Sequence, residues 1–420
     1  MGRLPDGRVV FVDGAVPGDR IAIELAIEAR RLVQVRQFRL LEAGAERVEP
    51  RCTVAGQCGG CDWMMIDADG QARGKIGILE QALLRTGKLD ATRYPLRLQR
   101  SPSVDGYRGR VRLAVLAERV GFHARGSHQL VEPAPCVVSS PLLNAALERV
   151  REVARALPRF LSSFVSVEVR EDSDGIVSLV FQRSDSSLTA DARAALTRLR
   201  ERFVVVSDPR EAEAPESWQR FQLTPETFML SPPGGFTQVN WEVNRALIQA
   251  VLTGVAERGV SSFLDVYSGS GNFSLPLLAR GLEGCAVESN ALAVRAAREA
   301  ARRQNLPVHV FNAGDALDFG RSAAKAGRAF DVVIIDPPRA GVKRGLAELA
   351  SLARGWLLMC SCNPVTLARD LNELGALGLE IEGIEAFDMF PETHHVETLV
   401  WLRKGSRLNL TGAGPAQPDR

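Results

Sequence analysis

FLDVYSGSGNF, residues 263–273, decides how the second half of this chain folds. Phe263-Leu264 and Val266-Tyr267 surround Asp265 like the end of a buried strand. Gly269 and Gly271 then permit a sharp turn before Phe273-Ser274-Leu275 opens a helix. Such a unit can cradle a nucleotide-like ligand, because glycines allow close backbone approach and a helix start offers unpaired N–H groups. The dinucleotide pattern G-x-G-x-x-G needs a third glycine, and Ser274 stands in its place. A loop of this kind behind an acidic strand end suits S-adenosylmethionine, which has no phosphate and carries an ammonium that a carboxylate can meet. Glu288 in AVESN closes the next strand about 20 residues on, where an acid can take two ribose hydroxyls. Asp315 in AGDA follows, set to meet the adenine edge. An ordinary βα turn would account for the glycines alone, but not for three acids at strand ends.

Outward from this loop, strands are predicted at residues 262–267, 284–288, 308–312, 331–336 and 355–360, alternating with helices that begin at 241–258. This is the pattern of an α/β fold with a doubly wound parallel sheet, whose ligands bind at the carboxyl ends of the strands. FDVVIIDPPRAG places Asp336 at one such end. Amino-group methyltransferases follow a comparable turn with an aromatic residue, and this chain has Arg339 there. Cys360 and Cys362 in LMCSCNP can present a thiolate after a buried strand. Residues two apart share a strand face, so periodicity does not choose between them. Glu397 in HHVETLVWL opens another apolar strand. Together they suit methylation of uracil carbon 5: thiolate addition at carbon 6 activates the ring, and a carboxylate then removes the carbon 5 proton.

A chain of 420 residues has room for two or three domains. Its net charge of +2 excludes a global polycation, yet six arginines fall between Arg93 and Arg112 against the single acid Asp105. That run is either a solvated face or a track for RNA phosphates. No apolar run reaches membrane length and no signal-like core opens the chain, so a cytoplasmic protein without membrane contact is expected. Residues 1–45 read as a small OB-like β-barrel that lacks an obvious first strand. Residues 46–235 read as an α+β central domain, whose helix at 67–89 is placed to pack on the catalytic domain. Residues 236–406 form that catalytic domain, and 407–420 a disordered tail. Cys52, Cys58 and Cys61, spaced C-x5-C-G-G-C, suit zinc or an iron–sulfur cluster; spacing alone does not choose.

The chain resembles the class I RNA (uracil-5-)-methyltransferases, and their iron–sulfur ribosomal RNA branch above all. FTQVN at residues 236–240, DVYSGSGNF, DPPRAG, SCNP and FPETHHVE carry the resemblance in order, with the cysteine motif and GFHARGSHQL before them. It implies a class I methyltransferase sheet and an N-terminal TRAM domain. It also implies Cys362 as nucleophile and Glu397 as base, with Gln238, Tyr267, Asn272, Glu288, Asp315 and Asp336 around S-adenosylmethionine. Cys52, Cys58, Cys61 and Cys136 would hold a [4Fe-4S] cluster. The implied substrate is a uridine of 23S ribosomal RNA, with transfer RNA as the rival substrate and a monomer as the expected state. From a different class, a catalytically silent RNA-binding or chaperone protein is the alternative, which retention of both Cys362 and Glu397 opposes. Ser268 departs from the cysteine usual in that family's glycine loop.

Overall fold

The computed structural model describes residues 2–4, 7–24, 32–35, 37–116, 118–184 and 187–405. Its largest element is an eight-stranded sheet. In spatial order it runs Phe311–Ala313, Glu283–Glu288, Ser262–Val266, Phe330–Ile335, Ala353–Ser361, Glu397–Lys404, Leu379–Phe387 and Leu98–Gln99. The first five strands are parallel, whereas Glu397–Lys404 runs antiparallel to both its neighbours. Strands such as FDVVII are apolar throughout because helices cover both faces. Alternation sends Phe263 to the face packed by Trp241–Glu257 and Ala291–Arg303. Leu264 and Val266 go to the opposite face, packed by Leu346–Ser351 and Pro364–Ala376.

The predicted strand at 308–312 is instead a 3-10 turn, Val308–Val310, leading into Phe311–Ala313, since Pro307 sits directly before it. The helix expected at 67–89 spans Ala68–Arg85, and Leu79, Ala82 and Leu83 pack into the catalytic core. Leu98–Gln99 then pairs in parallel with Leu379–Phe387, extending the same sheet.

A separate six-stranded sheet carries the central region, ordered Val204–Val206, Val177–Arg183, Phe164–Glu171, Arg110–Leu116, Arg119–His123 and Leu130–Val131. Helices Pro141–Ala156 and Ala190–Arg200 pack on it through Leu143, Leu147, Val150 and Leu196. Among the described N-terminal residues there are two small sheets, one of Gly2–Arg3, Val9–Val12 and Leu32–Val35, the other of Arg20–Ala22 and Arg39–Glu42. Among the described residues these two sheets share no strand, and part of the predicted barrel lies outside the described residues. The expected disordered tail lies outside the described residues, and none of the described helices is long and apolar enough to cross a membrane.

Candidate active site and cysteine site

Asp265, Glu288, Asp315 and Asp336 lie at or just past the carboxyl ends of four adjacent parallel strands. Between them the glycine loop turns through left-handed conformations at Tyr267 (φ +63°), Gly269 (+53°) and Gly271 (+93°). At Gly271 a β-carbon would stand 3.0 Å from Leu275 and 3.2 Å from Phe311, so the tight turn needs glycine. Tyr267 adopts this conformation with a full side chain, an uncommon geometry that the surrounding packing must enforce. Glu288 fastens the loop: Gly269 N–H donates to its Oε2 (3.0 Å), and Asn290 N–H donates to its Oε1 (2.8 Å). Asn272 exchanges side-chain amide bonds of 2.8 and 3.1 Å with buried Asn244. Asp315 caps the following helix by accepting from Leu317 N–H (2.8 Å) and Asp318 N–H (3.1 Å).

Beneath the loop, Asp265 accepts from the Ser274 hydroxyl, and burial pushes its carboxyl up to about 7. Its Oδ1 is buried without a partner, an acceptor that a ligand donor in the pocket would satisfy. Gln238 is buried in a segment held from the central sheet. There Arg110 donates to Thr237 O (3.3 Å), and buried Arg170 donates to Gly235 O (2.9 Å) and Pro232 O (2.8 Å).

One strand over, ligand atoms of Asp336, Cys360 and Glu397 lie within 4.8 Å of one another. The Cys360 thiol donates to Glu397 Oε1 at 3.4 Å. Burial pushes Asp336 up to about 7; burial, and then the charge of Asp336, push Glu397 up to about 8. Cys360 is fully buried, its thiol driven well up by burial. Cys362 stands one residue beyond strand Ala353–Ser361, half-buried, before helix Pro364–Ala376. Asn363 caps that helix and also donates to Arg339 O (3.1 Å), which fixes the turn. Continuing the antiparallel register from Ser361↔Thr398 sets Cys362 opposite Glu397. Burial and Glu397 raise the Cys362 thiol, while the neighbouring Arg339 guanidinium opposes this.

Cys52, Cys58, Cys61 and Cys136 line one cavity of about 30 Å³, shared with Met64, Arg108 and Phe122. All four are free thiols, and among the described residues no three of their sulfurs lie within 4.8 Å of one another. Gly60 N–H points at Cys58 Sγ (3.4 Å), and Asn144 clamps the Cys136 backbone with bonds of 2.9 and 3.0 Å. Burial pushes Cys58 up, and Cys61 up to about 12.

The arginine run does not form a continuous free face. Arg108 donates to Tyr107 Oη (3.0 Å) and Gly60 O (3.3 Å), and Arg110 pairs with Glu168 at 2.9 Å. Both are committed inside the protein because they join the cysteine loop and the central sheet to the rest of the chain. Of the six arginines read as either a solvated face or a phosphate track, Arg108 and Arg110 are thus engaged within the protein.

Residues 226–405 match the family model described as tRNA (Uracil-5-)-methyltransferase. Over 420 aligned residues the chain is 32% identical to the 23S rRNA (uracil(1939)-C(5))-methyltransferase RlmD of Thiobacillus denitrificans, covering 95% of each. The chain belongs to the RNA (uracil-5-)-methyltransferase family. The RlmD protein of Pseudomonas aeruginosa PAO1 is 31% identical across 95% of this chain and 90% of its own. Among solved structures, the Pyrococcus abyssi tRNA (uracil-54, C5)-methyltransferase in complex with S-adenosyl-L-homocysteine matches with a TM-score of 0.74 and 25% identity. That match covers 96% of this chain and 98% of the archaeal one. The family's class I α/β methyltransferase fold is thus the fold of this chain.

Three features of this region escaped the sequence. Asn244 lies mid-helix with nothing to mark it as the partner of Asn272. Arg339 was noted only as a missing aromatic, yet its guanidinium stands beside Cys362 and its Nη2 lies 2.9 Å from His395 Nε2. Glu392, five residues before Glu397, is a buried hub; its left-handed backbone leaves no trace in composition.

Proposed function

We propose that this enzyme methylates carbon 5 of a uridine in 23S ribosomal RNA, using S-adenosylmethionine. The observation that carries the chemistry is the half-buried Cys362 just past the strand that pairs with the one Glu397 opens. Cys362 is the nucleophile in this reading, because Cys360 is wholly buried and engaged with Glu397. The Cys362 thiolate bonds to carbon 6, and the electron pair of the 5,6 double bond makes carbon 5 nucleophilic. Carbon 5 takes up the methyl group that bound S-adenosylmethionine would supply, the S–CH3 bond pair staying on sulfur so that the neutral thioether S-adenosylhomocysteine leaves. The Glu397 carboxylate then removes the carbon 5 proton, the electron pair of that C–H bond restores the double bond, and Cys362 leaves as thiolate.

Several observations suit the cofactor. The orphaned Asp265 Oδ1, the left-handed glycine loop and the Glu288 carboxylate at its strand end form a cradle, lined by Gln238, Tyr267, Asn272, Asp315 and Asp336. Glu288 would take the ribose hydroxyls and Asp315 the adenine edge.

We also infer that Cys52, Cys58, Cys61 and Cys136 hold a [4Fe-4S] cluster. A single tetrahedral zinc, at about 2.3 Å from each thiolate, draws its sulfurs to about 3.8 Å apart. These four thiols share one cavity, which either centre could occupy, and the resemblance to the iron–sulfur branch selects the cluster. Buried thiols whose ionisation is costly also need a cationic centre to become ligands.

The ribosomal target rests on the near-full-length likeness to the RlmD proteins. Transfer RNA is the second reading, favoured by the archaeal structure. Nucleoside mapping of 5-methyluridine in both RNAs from a deletion strain separates the two. For the chemistry, Glu397→Gln with substrate RNA and cofactor should accumulate a methylated covalent adduct on a denaturing gel, and Cys362→Ala none. An adduct that depends on Cys360 instead of Cys362 overturns the assignment.

A further inference from the structure

The turn between strands Leu379–Phe387 and Glu397–Lys404 delivers Glu397, and it is held from outside by the cysteine loop, helix Ala68–Arg85 and Tyr107. Buried Lys75 pairs with Asp388 and donates to Phe390 O at 3.0 Å. Tyr107 Oη donates to Pro391 O at 3.0 Å, and Arg108 links that hydroxyl to Gly60 O. His394 bonds Asp62 through its ring and, at 3.2 Å, through its backbone N–H.

The centre of these ties is Glu392. Its carboxylate takes Arg51 on one oxygen and Gln71 Nε2 (3.0 Å) on the other. Its backbone N–H donates to Gln71 Oε1 (3.0 Å), and its carbonyl accepts Trp63 N–H (3.0 Å). Every polar group of the residue is thus spent on residues 51–71. Arg51 adjoins Cys52, and Asp62 and Trp63 follow Cys61, so the anchors alternate with the cysteines along one loop. Glu392 also sits at φ +66° and is only 5% exposed. Glycine fits that backbone at least cost, so a buried acid there points to a use for its side chain.

We propose that Glu392 is a positioning residue that couples the cysteine loop to the catalytic base, so that the state of the cysteine site sets how well Glu397 removes the carbon 5 proton. The proposal rests on the reading of Glu397 as that base. It gives the cysteine site a part in the elimination step without electron transfer.

The test uses full-length, cluster-bearing enzyme with a 23S ribosomal RNA fragment and S-adenosylmethionine. Iron absorption, cofactor affinity by calorimetry, and adduct formation and decay on quenched denaturing gels are followed. In Glu392→Ala, iron absorption, cofactor affinity and first-turnover methyl transfer should stay at parental levels. The methylated adduct should accumulate, its decay slowed by up to about a hundredfold, the scale for misplacing a reacting group by about 1 Å. Glu392→Gln, which keeps an acceptor for Gln71 but no charge for Arg51, should fall between. Arg51→Met should repeat the accumulation from the cysteine-loop side, and it decides the matter if Glu392→Ala does not fold. Parental decay of the adduct in the folded variants refutes the coupling. So does an equal slowing of methyl transfer and decay with weakened cofactor binding, which would make Glu392 a general structural residue. Parental decay in Glu397→Gln instead refutes the base assignment, separately from Glu392.

Discussion

Glu288→Ala tests the cofactor cradle most directly, because this one carboxylate has two separable jobs. In the proposed reading it takes the ribose hydroxyls, and it already accepts Gly269 N–H at 3.0 Å and Asn290 N–H at 2.8 Å. Losing a charge-assisted bond to the ribose should cost about 1.5–3 kcal/mol of binding. That is a rise in Kd of about 10- to 150-fold by calorimetry. The tie to Gly269 contributes about 0.5–1.5 kcal/mol to the loop and should appear in urea unfolding of the ligand-free enzyme. Glu288→Gln keeps one acceptor for Gly269, so it should recover most of the stability and little of the affinity. Parental affinity in Glu288→Ala, together with lowered stability, would refute the ribose role and leave Glu288 as loop scaffold alone.

Two further outcomes follow from the buried charges. In the proposed mechanism Cys362 and Glu397 both act deprotonated, and both are shifted up, Glu397 to about 8, so kcat should fall away on the acid side and climb from about pH 6.5 through 8.5 and beyond. A rate that is flat or declining across that range refutes the assignment. Arg170→Met should destabilise the enzyme by about 3–5 kcal/mol, since orphaned buried acceptors cost about 1–3 kcal/mol each. The carbonyls of Ser231 and Gly235 would lose this donor, while Pro232 O keeps Gly235 N–H. Chemical denaturation measures this, and a loss under about 1 kcal/mol would show that water or a neighbour replaces the guanidinium.

What could be read from the sequence was whatever depends on local pattern. Apolar runs ending in acids gave the parallel strands, and the glycine loop fell where Gly269 and Gly271 allow it. What could not be read depends on partners distant along the chain. Arg108 and Arg110 look like surface charge until Tyr107, Gly60 and Glu168 close around them. Cys360 and Cys362 share a face by periodicity, and only the end of the strand separates a sealed thiol from a reachable one. The alternating N-terminal runs give strands, since alternation specifies strands and not their closure.

Residues 68–99 belong to the catalytic core by packing, although the central sheet separates them from the glycine loop in the chain. The polypeptide enters the methyltransferase fold, leaves it, and returns near Trp241, so the central region is an insertion spliced into that fold. A ribosome would release Leu79 and Leu83 long before their partners on Pro364–Ala376 exist, which leaves an apolar helix waiting through most of synthesis. For an engineer, the same layout means that a catalytic fragment cut between Gly235 and Phe236 would lose a helix and an edge strand together. The workable dissection is an excision from the middle, with Leu98–Gln99 rejoined to Trp241–Glu257 by a short bridge.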